Sequence, residues 1–221
     1  INAKHYYLNF EKEFNEHVIN YFISEYQKGR TPFPCLACND RLKFDFLLKR
    51  AEFMKADYIA TGHYASIIEN NNEYKLIKGV DETKDQSYVL FNLTQSIMNK
   101  LKLPVGIFPK NEIRKIAEDH NLINAKKPDS QDICFIPDGD YKKFINNKID
   151  QNEGIIVDSK GNKLGDHSGI HNFTIGQRKG IGIESKGKPI FVTKIYPSKN
   201  IVEVGPSNEL MQRKAYISVS Y

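Results

Sequence analysis

The clearest periodic signal in the chain runs through EKEFNEHVINYFISEYQKG, where Phe14, Val18, Phe22 and Tyr26 recur at every fourth position among charged and amide side chains. That spacing predicts an amphipathic helix, with Gly29 and Pro32 as its stop. A second helix is predicted with Asn39 as N-cap, running to about Lys55 and burying Leu42, Phe46, Leu47 and Met54. Cys38 then falls just outside the helix N-terminus, where a thiolate feels the positive end of the dipole. ADYIATGHYA has strand texture: an apolar run from Tyr58 to Thr61 ends in Gly62-His63, the pattern of a parallel strand at the carboxyl edge where α/β sheets collect ligands.

A strand from Tyr74 to Gly79 after an Asn-rich turn, a helix from near Thr94 and another from Asn111 continue an α/β alternation to about residue 125. In the last of these Ile113, Ile116 and Ala117 share a face. After Lys148 the texture changes. GIIVDSKGNKLG reads as a hairpin around Ser159-Lys160-Gly161, and PIFVTKIY, NIVEVG and AYISVS read as short strands, so a mostly β unit is expected from near residue 150.

The 221 residues are 40% hydrophobic, enough for a sizeable core in one large or two small domains. A formal net charge of +5 and a pI of about 8.9 permit an acidic partner such as nucleic acid without marking a dedicated electrostatic binder. No apolar run approaches the roughly 20 residues that cross a bilayer. The opening INAKHYYLNF lacks a signal-peptide pattern, so a cytoplasmic location with no membrane partner is expected. It also lacks an initiator methionine, which suggests a piece of something longer.

Three cysteines do not make a secreted disulfide framework, and in a reducing compartment thiols serve catalysis or metals. A zinc reading of Cys35 and Cys38 in TPFPCLAC needs further ligands at matching spacing; no second CxxC follows, and His167 and His171 stand among turn residues. Cys134, in the strand-like SQDICFIP, reads in isolation as a small buried hydrophobe. Its polar neighbours Asp129, Ser130, Gln131 and Asp132 nevertheless give it a setting unlike that of Cys38. Two thiols of unequal reactivity suit a sulfur relay: a persulfide on one delivers its outer sulfur to an activated carbon, and the other resolves by disulfide exchange.

The stretches GRTPFPCLACNDRLKF, ADYIATGHYA, KDQSYVLFNLTQ, NEIRKIAE, SQDICFIP and FTIGQRKGIGI, in that order, resemble the tRNA-specific 2-thiouridylases of the MnmA type. The resemblance implies an α/β fold class. A partial adenine-nucleotide alpha-hydrolase-like domain of the PP-loop ATP pyrophosphatase kind would span 1–148, a small β-rich central domain 149–210, and the opening of a C-terminal β-barrel 211–221. It implies that ATP, with Mg2+, adenylates the C2 oxygen of the wobble uridine and that persulfide sulfur displaces AMP, since a carbonyl oxygen leaves poorly until activated. Cys134 would carry the persulfide and Cys38 would be the nucleophilic or resolving thiol, with a disulfide bond between thiols as a feature of the family. The implied partners are tRNA with a wobble uridine and a persulfide-donating sulfur carrier protein. The family's SGGVDS phosphate loop is not among these residues, so the chain is not expected to complete adenylation alone.

By the same resemblance Gly62 binds nucleotide, while His63, Lys84, Asp85 and Gln86 face tRNA. Phe33, Pro34 and Cys35 surround the target base, where an aromatic ring suits stacking on a flipped uridine. Many family members carry Asn at the position of Phe33, and the position of Cys35 varies between Cys and Asp. Arg178 and Lys179 form a phosphate-facing loop. Residue type alone leaves plainer alternatives: a strand-ending glycine, a solvated turn at 84–86 and a basic β-turn at 178–179. Cys35, Cys38 and Cys134 also offer three thiolates to a 4Fe-4S cluster, one short of the usual complement. The rival readings are another pyrophosphatase-type ligase, akin to argininosuccinate or guanylate synthetase, and a tRNA-binding module without catalysis.

Overall fold

The computed structural model describes residues 3–129, 133–184 and 187–211. The strand expected in AYISVS lies outside them, as does 212–221 of the expected barrel opening. By its internal contacts the chain divides into two units, Ile1–Ile19 with Phe33–Cys134 and Asn20–Pro32 with Phe135–Tyr221. Helix α1, formed by Glu11–Phe14, Asn15–Ile19 and Asn20–Gln27 in succession, is the amphipathic element expected from the sequence, and Val18, Phe22 and Tyr26 are buried. No helix among the described residues is long and apolar enough to cross a membrane.

In the first unit, helix α2 runs through Pro34–Ala37, Cys38–Phe46 and Leu47–Phe53. Its start differs from the expected one. Pro34 occupies the first helical position, where a missing N–H is no loss, and Phe33 stands at the N-cap. Asn39 is therefore inside the helix, 3% exposed, with its Nδ2 donating to the carbonyl of Val89 at 3.2 Å. The buried face differs as well. Cys38–Phe46 is bonded in the wider π-helical manner, which displaces the inward face from the 3.6-residue period. Phe44 and Ala51 join Leu42 inside, Phe46 and Leu47 are half-buried, and Met54 is 42% exposed.

Strand β1, Ile59–Ala60, is followed by β2, Ala65–Asn70, and β3, Glu73–Lys78; helix α3, Gln95–Lys100, leads to β4, Leu101–Lys102, and then to α4, Lys110–Asp119. β1 and β4 pair in parallel, as the strand-then-glycine pattern required. β2, which lies outside the strands expected from the sequence, pairs with β3 across the two-residue loop Asn71-Asn72. Both loop residues have positive φ, 51° and 63°, the conformation of a twist-matched hairpin turn that Asn tolerates. Thr94 caps α3 through its hydroxyl, which accepts from Ile97 N. The core gathers Phe44 and Ala51 of α2, Ile59, Ala65, Val89, Leu90, Leu101 and Leu103.

In the second unit, helix α5, Tyr141–Asn146, precedes β5, Gly154–Val157, β6, Lys163–His167, β7, Phe191–Tyr196, and β8, Ile201–Gly205. The strand order is β6-β5-β8-β7, with β5 and β8 parallel and the other pairs antiparallel. Ile156, Ile170, Phe173, Ile181, Val192, Val202 and Val204 form its core. The later part of α1 belongs here because its aromatics do: Phe22 meets Phe135 edge-on at 5.4 Å, and Tyr26 stacks on Tyr141 at 5.4 Å. The chain is thus an α/β unit followed by a small β-rich one.

Gly106 fixes the packing of the hairpin in the first unit. Its carbonyl accepts from Val80 N at 2.9 Å, and a Cβ built on it would lie 1.7 Å from the carbonyl oxygen of Ala65. Because that oxygen is backbone, the clash cannot be relieved by a rotamer. Gly106→Ala is expected to destabilise the first unit by on the order of 3 kcal/mol, measured as a drop in urea midpoint at unchanged slope.

Candidate active site

The first turns of α2 carry Phe33, Pro34, Cys35 and Cys38. Cys38 N–H donates to the carbonyls of Cys35 and Pro34, so the thiol lies within the helix and not beyond its free N–H groups. Cys35 is exposed, Cys38 half-buried and Cys134 exposed, and all three are free. Cys134 is in a turn and exposed, neither in a strand nor buried as its sequence setting suggested. The disulfide implied by the family resemblance is not formed in this structure.

The expected lowering of the Cys38 pKa is also overturned. Protein packed around Cys38 pushes its pKa up, with the nearby Lys43 ammonium opposing and the Cys134 and Cys35 thiols adding to the rise. Cys35, although it opens to solvent, is raised by burial first and by Cys134 second, again with Lys43 opposing. The three thiols therefore stand within electrostatic reach of one another. Lys43 is a residue that sequence reasoning missed. It is five positions beyond Cys38, off the face in an α-helix but on it where bonding runs from i to i+5. Only a register longer than 3.6 would have drawn attention to it.

Among the described residues no three His, Cys, Asp or Glu side chains lie close enough to hold a metal ion. Cys35, Cys38 and Cys134 do not converge as iron–sulfur ligands. His167 and His171, both buried, have local partners at one ring nitrogen each: His167 Nδ1 accepts from Gly169 N at 3.0 Å, and His171 Nε2 meets Asn146 Oδ1 at 2.7 Å.

Gly62 follows β1 and the Thr61 N–H, which donates to Lys102 O at 3.1 Å. A Cβ on Gly62 would meet nothing within 4 Å, so its backbone is open to an approaching group. His63 turns the other way. It is 7% exposed, its Nδ1 is 2.8 Å from Thr61 Oγ1, and its ring lies against Phe44. Burial, with Lys43 adding, pushes its pKa down to about 4, so the imidazole is neutral.

In the segment after β3 the three polar residues have different fates. Asp85 accepts from Gly79 N, Ser87 N and Ser87 Oγ, and Gln86 exchanges two bonds with the backbone of Tyr64. Both are spent on holding the turn. Lys84 reaches outward to Asp129 at 2.9 Å, where Lys110 and Arg114 also converge at 3.4 and 3.0 Å. The hydrogen bond from Lys84 is the main reason the Asp129 carboxyl titrates down at about 2. These groups line a cleft of about 560 Å³ with Asp81 and Glu82.

Two exposed aromatic rings complete the surface. Phe33, 39% exposed, and Tyr88, 63% exposed, lie parallel within 7° at a centroid distance of 6.2 Å. Tyr88 was not picked out by sequence, where it reads as one of twelve tyrosines in a locally apolar run. In the second unit Arg178 and Lys179 are exposed on a loop closed by Gln177, whose side chain accepts from Thr174 N and donates to Lys179 O. Arg178 and Lys188 border a cleft there of about 330 Å³.

Comparison with known proteins adds family information. Residues 1–138 match the model of the tRNA methyl transferase HUP domain, and residues 142–206 that of the tRNA methyl transferase PRC-barrel domain. The chain is 47% identical to the tRNA-specific 2-thiouridylase MnmA of Carboxydothermus hydrogenoformans, over 95% of this chain and 58% of that protein. It is 47% identical to the protein of the same name from Clostridium kluyveri, over 96% and 60%, and 49% identical to tRNA-specific 2-thiouridylase MnmA 1 of Thermoanaerobacter pseudethanolicus, over 95% and 58%. The chain thus spans about three fifths of the length of these relatives.

Removing Lys43 takes away the charge that opposes burial at both helix thiols. Lys43→Gln is expected to slow iodoacetamide alkylation of Cys38 about 2- to 5-fold at neutral pH and to move its pH profile upward. His63 sets a stability trend. Its pKa falls from 6.5 to about 4 on folding, so as pH drops through that window the unfolded chain takes up a proton that the folded one does not. Stability should fall by about 3 kcal/mol between those limits and be insensitive to this group at higher pH. The wild-type minus His63→Gln difference in urea midpoints across the window measures it.

Proposed function

The chain belongs to the MnmA tRNA 2-thiouridylase family, and from that premise we propose that it binds tRNA bearing a wobble uridine and supplies the thiols of its 2-thiolation. The observation that carries this reading is the grouping of three free thiols on and near the first turns of α2, with Cys134 close enough to raise the pKa of both Cys35 and Cys38. Sulfur relay needs thiols that reach one another and differ in setting; here one is half-buried and one exposed.

In the proposed sequence ATP, used together with Mg2+, first transfers its adenylyl group to the uridine C2 oxygen with pyrophosphate leaving, consistent with the nucleotide-using domain class of the first unit. The open backbone at Gly62 is assigned to the nucleotide. Cys134 takes a sulfane sulfur from a carrier protein's persulfide. That outer sulfur attacks C2, and the C2–O bond breaks with its electron pair leaving on AMP. The Cys38 thiolate then attacks Cys134 Sγ. The S–S bond breaks, its electron pair stays on the sulfur bound to the base to give 2-thiouridine, and a Cys38–Cys134 disulfide remains for a thiol reductant to reopen. Cys35, exposed beside Phe33 and Pro34, borders the base without a required step. Lys84 exchanges Asp129 for an RNA phosphate, with Arg178 and Lys179 making further phosphate contacts. His63, buried and neutral, supports the strand end behind the site.

Treating the chain with a persulfide donor, followed by mass spectrometry, is expected to place one added sulfur on Cys134. That sulfur should be absent in Cys134→Ser, present in Cys38→Ser and Cys35→Ser, and accompanied by binding of an anticodon stem-loop RNA that weakens steeply with salt. A chain that takes no sulfane sulfur, or that transfers a methyl group to the RNA instead of sulfur, overturns the reading.

A further inference from the structure

We propose that Tyr88, together with Phe33, forms a stacking platform for the unpaired pyrimidine base on which the thiols act; this deepens the reading above and rests on it. The two rings are parallel within 7° at 6.2 Å, and both face solvent, 39% and 63% exposed. An aromatic pair left open in this way forgoes the burial that ordinarily rewards such side chains. Immediately after Tyr88, Val89 and Leu90 are buried at 5% and 0%, so the local chain has a core available and directs this ring away from it.

The ring is held there on both sides. On one side, Ser87 is fixed through its N–H and Oγ by Asp85, at 3.3 and 2.7 Å. On the other, the carbonyl of Val89 accepts from the buried Asn39 side chain of α2 at 3.2 Å. Asn92 Nδ2 donates to Asp40 of the same helix at 2.9 Å. The short turn Ser87–Val89 is thereby registered against the helix that carries Cys35 and Cys38, and Phe33 is the N-cap residue of that helix. A flat π surface pre-set beside the thiols suits a planar heteroaromatic ring, and stacking on aromatic side chains is how proteins hold bases that have left a nucleic-acid stack. Pre-organisation of the backbone on both sides of Tyr88 keeps the ordering cost of binding low.

The test uses two anticodon stem-loop RNAs, one with uridine at the wobble position and one abasic there, against the wild-type chain, Tyr88→Ala and Tyr88→Phe. Circular dichroism checks that each variant folds. Wild type is expected to prefer the uridine RNA, and Tyr88→Ala to lose about 5- to 100-fold in affinity for it while binding the abasic RNA as wild type does. Tyr88→Phe should keep the preference. Equal losses on both RNAs, or no loss on the uridine RNA, overturn the platform while leaving RNA thiolation standing. Failure of the wild type to bind either RNA overturns both.

Discussion

A single buried amide organises the site. Asn39, 3% exposed within α2, donates to the carbonyl of Val89, and no other contact ties the thiol-bearing helix to the turn after β3 from so dry a position among the described hydrogen bonds. Loss of such a donor leaves a buried carbonyl without its partner, a penalty of about 1–3 kcal/mol. Its larger consequence is geometric. With Val89 fixed and Ser87 held by Asp85, the relative placement of Phe33, Cys35, Cys38 and Tyr88 is decided before any ligand arrives.

The electrostatics of the thiols follow from the same helix. A proline-initiated start at Pro34 moves Cys38 inward from the helix end, so burial raises its pKa where a terminal position would have lowered it. The π-helical stretch then brings Lys43 into opposition to that rise. At neutral pH the raised pKa values hold Cys35 and Cys38 mostly in the less nucleophilic thiol form. The acidic and amide residues next to Lys84 show a division of labour: Asp85 and Gln86 brace the turn, and Lys84 reaches toward the cleft where Asp129 gathers three cations.

Much of this was legible along the chain. The four-residue recurrence of α1, the helix beginning near Thr94, the parallel strand before Gly62 and the short strands after residue 150 depend on local spacing, which the structure follows. The ordered motifs from GRTPFPCLACNDRLKF to FTIGQRKGIGI pointed to the family that the domain models match. Strand β2 was not legible because no turn residue separates it from His63. The start of α2 was misread because Asn39, a good cap by residue type, has its side chain taken by a carbonyl fifty positions away.

The sequence by itself thus determined the elements with regular periods, the order of an α/β unit and a β-rich unit, and the residue types from which a thiol site is built. Tertiary structure decided which of those side chains are buried, which are hydrogen-bonded to backbone and which face solvent. It buried His63, spent Asp85 and Gln86 on the backbone, and turned Tyr88 outward beside Phe33. The reason is physical: periodicity records which side of an element avoids water, whereas the partner of a polar side chain and the outlook of an aromatic ring depend on contacts between segments far apart in the chain.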